Sequence, residues 1–243
     1  MVYGVRWVMS LLFIFQMYLM MALMAVYFMP LAVFDRKYAY QGVRSYCRWV
    51  RFSAHWMVGL RSEIRGDVPQ DEVLIASKHQ SFFDIIMLVS VLPRPKFIMK
   101  KELRRAPILG WFALRIGCIP VDRGKRGAAI NQMIEDVSKG RALPGQLVIY
   151  PQGTRVAPGA VRKYKAGTGV LYDQLGQDCV PVATNVGVFW PRHGIYRKPG
   201  LGVIEFLPRI PVGKENAVFM AELEQVVEAA SDRLMRDAGF AAQ

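Results

Sequence analysis

From Trp7 to Phe34 the chain carries no charged side chain, a run of 28 residues. Wholly helical, such a run would be roughly 42 Å long, against a hydrocarbon core of about 30 Å. Pro30 is expected to end or kink that helix. The run is long for a signal peptide and no clear A-x-A site follows it, so it reads as a retained membrane anchor. Five basic residues (Arg36, Lys37, Arg44, Arg48, Arg51) follow it, and only Arg6 precedes it. If the segment spans, the positive-inside rule places the rest of the chain in the cytoplasm. The same hydropathy also fits a segment that turns back within one leaflet.

The next stretch, GVRSYCRWVRFSAHWMVGL, alternates at helical spacing. Arg44, Arg48, Arg51 and His55 form one stripe; Val43, Cys47, Val50, Ala54 and Met57 form its neighbour, with Trp49, Phe52 and Trp56 around them. A basic face, an apolar face and indoles suit a helix in the headgroup layer. A core-facing helix with a solvated basic side has the same pattern.

From about residue 61 short apolar runs alternate with helical patterns. SEIRG, VLIAS, KFIMK, CIPVDR, QLVIY, VPVATNV and VIEFL read as strands. Helices are predicted over 82–92, 108–116, 127–139 and 168–175. A last one, over 217–237, would turn Phe219, Leu223, Val226, Ala230 and Leu234 to one side, with Gly239 after it. This alternation predicts an α/β fold, a layered mixed sheet flanked by helices, with a membrane-embedded helical segment before it. The expected division is residues 1–60 for the anchor and basic helix and 61–243 for the α/β domain.

Composition sharpens this. The 243 residues are 53% hydrophobic with a net charge of +13, and the mean hydropathy is +0.19. That is apolar for a soluble enzyme, and the charge calls for a negatively charged partner. A nucleic acid is disfavoured, because residues 1–65 hold eight Lys and Arg against two Asp and Glu, clustered around the apolar anchor. Cys47, Cys118 and Cys179 lie far apart in mostly apolar surroundings, which predicts reduced, buried thiols and no structural metal.

The chemistry concentrates at strand ends. In KHQSFFD, residues 78–84, Ser81 and Asp84 have capping-box spacing before an apolar run. That accounts for Ser81 and Asp84 but gives His79 no role. With His79 in the loop and Asp84 in the first helical turn, the carboxylate reaches the imidazole and orients it as a general base. CIPVDRG places Arg123 after an apolar run, YPQGTR places Arg155 on a glycine-containing turn, and Lys163 and Lys165 precede a helix. Arginines at strand ends beside backbone N–H groups suit a phosphate. No P-loop, dinucleotide fingerprint or G-x-S-x-G elbow is present, which argues against nucleotide hydrolysis, hydride transfer and a serine nucleophile.

In order, H-x4-D (His79 to Asp84), K-K-E-L (Lys100 to Leu103), P-V-D-R (Pro120 to Arg123), Y-P-Q-G-T-R (Tyr150 to Arg155) and V-P-V-A (Val180 to Ala183) resemble the 1-acylglycerol-3-phosphate acyltransferases. The resemblance implies that His79 takes the proton of a lysophospholipid sn-2 hydroxyl while Asp84 orients it. That oxygen would attack the thioester of acyl-CoA or acyl carrier protein directly, with backbone N–H groups near the helix start stabilising the oxyanion. It further implies that Arg123 and Arg155 hold the acceptor phosphate and that Gly153 and Thr154 shape the turn. Lys100 and Lys165 are further phosphate candidates. No cofactor is implied, and the partners are the lysolipid, the acyl carrier and the bilayer.

Two positions depart from the family pattern: Lys78 stands where asparagine is common, and Gln152 where glutamate is usual. Glutamine keeps the amide and loses the charge, which predicts a different or broader acceptor range, lyso-ornithine lipid among them. A non-catalytic membrane-surface lipid-binding protein on the same fold is the alternative from another class.

Overall fold

The computed structural model describes residues 2–121 and 144–240, so Arg123 and the helix predicted over 127–139 lie outside the described residues. In chain order the elements are α1 (Val2–Phe34), α2 (Arg36–Val58), β1 (Leu60–Arg65), β2 (Leu74–Ser77), α3 (Phe82–Val91), β3 (Pro95–Lys100), α4 (Leu109–Arg115) and β4 (Ile119–Val121). Then follow β5 (Gln146–Ile149), α5 (Gly167–Leu175), β6 (Cys179–Thr184), β7 (Gly200–Phe206) and α6 (Asn216–Asp237).

The strands form one sheet in the order β1-β7-β6-β2-β5-β3-β4. Neighbours run parallel except β6 and β7, so β1 and β7 oppose the rest. Every residue of β2 and β6 is buried, as expected of central strands covered on both faces. Successive β2 side chains enter different layers. Ile75 packs into the core shared with α1, α2 and α3, whereas Leu74 and Ala76 join Leu171, Tyr172, Phe219 and Leu223 of α5 and α6. On α6 the buried residue is Val227, with Val226 only partly covered, so the predicted face is shifted by one position there.

Pro30 does not end α1. The helix continues to Phe34, and the break falls at Asp35, whose carboxylate accepts from Lys37 N–H at 2.8 Å as the N-cap of α2. A proline costs a helix one hydrogen bond, and a long apolar helix packed along another tolerates that. Gly42 makes the packing close, since a Cβ there would stand 3.0 Å from the Phe28 side chain. Gln16 sits between Ser53 and Trp49, donating to one at 2.9 Å and accepting from the other at 2.8 Å.

Both ends of α1 also touch the α/β domain. Phe13 meets Trp190 edge-on at 5.4 Å, and Tyr3 stacks on Tyr196 at 5.2 Å. Near the other end, Arg115 of α4 donates to the carbonyls of Ala32 and Val33. The outward side of α1 carries Val8, Leu12, Phe15, Leu19, Leu23 and Val26, an exposed apolar stripe at helical spacing.

The basic stripe of α2 is not one free face. Arg44 turns inward to the carbonyls of Leu92 and Pro93 just beyond α3, at 3.2 and 2.7 Å. Arg51 donates to the hydroxyls of Ser62 and Ser90, both at 2.8 Å. Long arginine stems let the guanidinium reach carbonyls that the α3 terminus leaves without intrahelical donors. Arg48 and His55 remain exposed beside Phe52 and Trp56. Meanwhile Cys47, Val50, Ala54 and Val58 bury the opposite side of α2. Cys47, Cys118 and Cys179 are all buried and free.

Because Phe13 is fully buried against Trp190, Phe13→Ala should destabilise the full chain by about 3–5 kcal/mol. Thermal unfolding in a mild detergent measures this. An unchanged Tm would mean that α1 stands apart from the α/β domain.

Candidate active site

β2, β3 and β5 run parallel, so their C-terminal ends meet at one edge of the sheet, where α/β folds hold ligands. The loop 78–81 leaves β2 there, the turn 150–155 leaves β5, and Lys100 closes β3. Sequence-distant blocks are thereby brought together by strand direction alone.

His79 and Asp84 are joined directly. Nδ1 of His79 lies 3.0 Å and 3.2 Å from the two carboxylate oxygens. One of those oxygens also accepts from Gln80 N–H at 2.8 Å and Ser81 N–H at 2.9 Å. Ser81 is the N-cap of α3, and the reciprocal capping box is complete. The two readings of KHQSFFD therefore hold together: one fully buried carboxylate caps the helix and meets the imidazole. A carboxylate only accepts, which fixes the proton on Nδ1 and leaves Nε2 as the basic nitrogen. The His79 side chain keeps 13% of its surface exposed, and Nε2 has no hydrogen-bond partner among the described residues.

Tyr150 holds the ring plane. Its phenol stacks on the imidazole at 3.8 Å and 16°. Burial, and then the nearby charge of Asp84, push the Tyr150 pKa well up, so it stays a neutral phenol. The loop after β5 is tied to the same place, with Val156 N–H donating to His79 C=O at 2.7 Å. Gly153 sits at φ 69°, a left-handed turn position, with its N–H on Tyr150 C=O at 2.8 Å. A Cβ there would stand 2.5 Å from Lys165 Nζ, so the lysine crosses directly over the turn. Thr154 and Arg155 are half-buried beside it. Arg155 donates to Arg192 C=O at 3.2 Å, and Arg192 returns a bond to Arg155 C=O at 3.1 Å. Lys100 is half-exposed at the end of β3, 3.4 Å from Glu102.

Two expectations change. The N–H groups at the start of α3 are largely committed: Gln80 and Ser81 donate to Asp84, and Phe83 and Asp84 to Ser81 Oγ. They are poorly placed to serve an oxyanion as well. Gln152, taken from the sequence as substrate-binding, is only 2% exposed and does not face an acceptor. Its amide donates to Arg162 C=O and to Glu228, both at 3.3 Å.

Glu228, on α6, is the centre of a second cluster behind the loop. It pairs with Lys78, whose side chain is 3% exposed, and accepts from the Tyr164 hydroxyl at 2.9 Å. Burial and then Glu228 raise the Tyr164 pKa, keeping that hydroxyl a donor. Continuing the alternation of β2 sends Lys78 toward α6 and His79 to the other side. Gln80 is held likewise, accepting from Gly187 N–H at 3.0 Å and donating to Met235 sulfur at 3.3 Å. Glu228 lies 150 residues from Lys78 and carries no motif, so only the buried neighbours reveal its role.

Comparison with known proteins agrees with this geometry. A family model described as Acyltransferase matches residues 60–185, about half of the chain. The chain belongs to the Acyltransferase family.

A 1-acyl-sn-glycerol-3-phosphate acyltransferase of Pseudomonas aeruginosa is 28% identical to this acyltransferase over 82% of the chain and 78% of its own length. One from Saccharomyces cerevisiae is 29% identical over 66% of the chain and 54% of its own length. A lyso-ornithine lipid O-acyltransferase of Pseudomonas aeruginosa is 28% identical over 76% of the chain and 71% of its own length. The crystal structure of the 1-acyl-sn-glycerophosphate acyltransferase of Thermotoga maritima superposes with a TM-score of 0.79 at 18% identity. It covers 94% of this acyltransferase and 97% of that chain, and the shared fold includes the sheet described above.

The Lys78–Glu228 pair predicts a non-additive double-mutant cycle. Lys78→Met leaves Glu228 without its cation, and Glu228→Gln leaves a buried ammonium uncompensated; each should cost about 3–5 kcal/mol, less where water reaches Glu228. The double variant should recover more than about 1 kcal/mol of the summed loss in urea unfolding. Strict additivity would show that the two groups do not interact.

Proposed function

We propose that this acyltransferase moves a fatty acyl group from acyl-CoA or acyl carrier protein to the sn-2 hydroxyl of 1-acylglycerol-3-phosphate, giving phosphatidic acid. The observation that carries the reading is the His79 imidazole with Nδ1 on a buried carboxylate and Nε2 unpartnered. Nε2 removes the hydroxyl proton as the oxygen attacks the thioester carbonyl. The tetrahedral intermediate collapses with loss of the carrier sulfur, which takes the proton back from the imidazolium and leaves as the thiol. No cofactor and no acyl-enzyme enter this sequence. A general base of this kind is worth about 10²–10⁴ in rate.

The acceptor phosphate belongs at the turn after β5. Arg155 offers a planar fork there, Lys165 crosses Gly153, and Thr154 completes the turn. Lys100 stands at the neighbouring strand end, and Arg123 follows β4 in the sequence. The names of the relatives in two organisms support a lysophosphatidate acceptor. A second acceptor, lyso-ornithine lipid, is favoured by the relative of that name.

The lipid substrates place the reaction at a bilayer. The exposed apolar stripe of α1 supplies the contact, and because both ends of α1 touch the domain, the helix lies along the membrane side rather than projecting away. We place the domain on the cytoplasmic side, where acyl-CoA and acyl carrier protein are found, in keeping with the basic residues that follow α1.

His79→Ala should lower kcat by about 10²–10⁴ in a radiolabelled acyl-transfer assay, measured on a variant shown to be folded by its cooperative thermal transition. A folded variant retaining more than about a tenth of the rate would sink the general-base mechanism. Arg155→Ala should lower kcat/KM for lysophosphatidate by about 10- to 150-fold, the scale of a charge-assisted bond, with little change in donor KM. A rise in donor KM alone would reassign Arg155 to the carrier phosphates.

A further inference from the structure

Arg197 is a buried cation with no acid partner among the described residues. It is 7% exposed, and its guanidinium lies 4.4 Å over the Trp190 ring. Nη1 donates to the carbonyls of Gly194 and Tyr196 at 2.9 and 3.4 Å, while the buried Nε–H has no acceptor. Desolvation pushes its pKa down to about 10, so the group is still charged at neutral pH. A charge taken out of water without a counter-ion is costly and calls for an anion.

Arg197 lines a cavity of about 240 Å³ between the start of α1, the end of α2 and the segment before β7. A second cation, Arg6, lines the same space and also has no acid partner among the described residues. Ser10 ties the two backbones together, its hydroxyl donating to the Arg6 backbone C=O at 2.8 Å and accepting from the Arg197 backbone N–H at 3.0 Å. The other walls are Met9, Met57, Val58, Gly59 and Pro199, and the exposed Val5 and Val8 of α1 lie near Arg6 in the sequence. None of His79, Asp84, Arg155 or Lys165 lines it.

We propose that the Arg6–Arg197 cavity is a binding site for the phosphate of an anionic phospholipid, separate from the acceptor site at Arg155. One buried and one exposed arginine at the same recess match a phosphate by charge-assisted hydrogen bonds. The apolar walls and the neighbouring apolar surface of α1 match the hydrocarbon that follows it. Among the described residues no carboxylate lines the cavity, so the ammonium of a zwitterionic headgroup finds no partner there. An anionic headgroup is therefore selected over a zwitterionic one. The inference rests on the bilayer contact proposed above and makes no use of the transfer chemistry.

The test is thermal unfolding of the full chain in a neutral detergent. The additions are dioleoyl phosphatidylglycerol, dioleoyl phosphatidylcholine, inorganic phosphate and CoA, each in a separate titration. Phosphatidylglycerol near a hundred-fold excess over Kd should raise Tm by about 5–10 °C, and phosphatidylcholine should not. Any shift from CoA or inorganic phosphate, bound at the active site, should be the same in Arg6→Gln as in wild type. Arg6→Gln, an exposed position that should not disturb folding, should raise the half-saturating lipid about 10-fold or more. Arg197→Lys, which keeps the charge but loses the fork, should weaken binding as well. Equal shifts from the two lipids, or an unchanged titration in both variants, would overturn the site. A shift from inorganic phosphate or CoA with none from phosphatidylglycerol would overturn the lipid as its source. Because no turnover is measured, these outcomes stand or fall independently of whether the acyl-transfer reading holds.

Discussion

The Asp84 carboxylate is the point on which the catalytic loop turns. Fully buried, it collects His79 Nδ1 and two backbone N–H groups, and its own N–H closes the capping box with Ser81. A buried carboxylate needs several donors to offset its lost hydration. The tight loop between β2 and α3 supplies them only when it folds so that the imidazole is also within reach. Helix initiation and orientation of the base are thus one geometric solution.

The loop is then held from outside. Lys78 is fastened to Glu228, Gln80 to Gly187 and Met235, and His79 C=O to Val156 N–H, while Tyr150 stacks on the imidazole. Such supports keep a reactive side chain in one rotamer. They also make Lys78 and Gln152 compatible with one another. Lys78 requires a counter-ion, and α6 provides Glu228. A second carboxylate at position 152, buried within reach of the first, would repel it strongly in a poorly solvated pocket. A neutral glutamine instead donates to Glu228.

The central strands were legible in the sequence because they are short, apolar and bounded by turn residues, and parallel order then brought their C-terminal ends to one edge. His79, Asp84 and the 150–155 turn were legible because their spacing encodes local geometry. What was hidden depends on contacts over long separations. Gln152 reads as a substrate-binding residue in the turn until its amide is found on Glu228 of α6. Arg44 and Arg51 look like a free basic stripe until the end of α3 and Ser62 take them up. Pro30 breaks an isolated helix, yet α1 continues through it to Phe34 because α2 packs alongside. The one-residue shift from Val226 to Val227 reflects how weakly a run of two valines specifies helical phase.

The Lys78–Glu228 contact also imposes an order on biosynthesis. The apolar α1 and the catalytic loop leave the ribosome early, whereas Glu228 is made 150 residues after Lys78. At about 5–20 residues per second the nascent chain spends roughly 8–30 s with that lysine lacking its counter-ion. Throughout that interval the loop between β2 and α3 has no rear support, so its final seating waits on α6. An acyltransferase wired in this way completes its catalytic loop only after α6 has been made, long after α1.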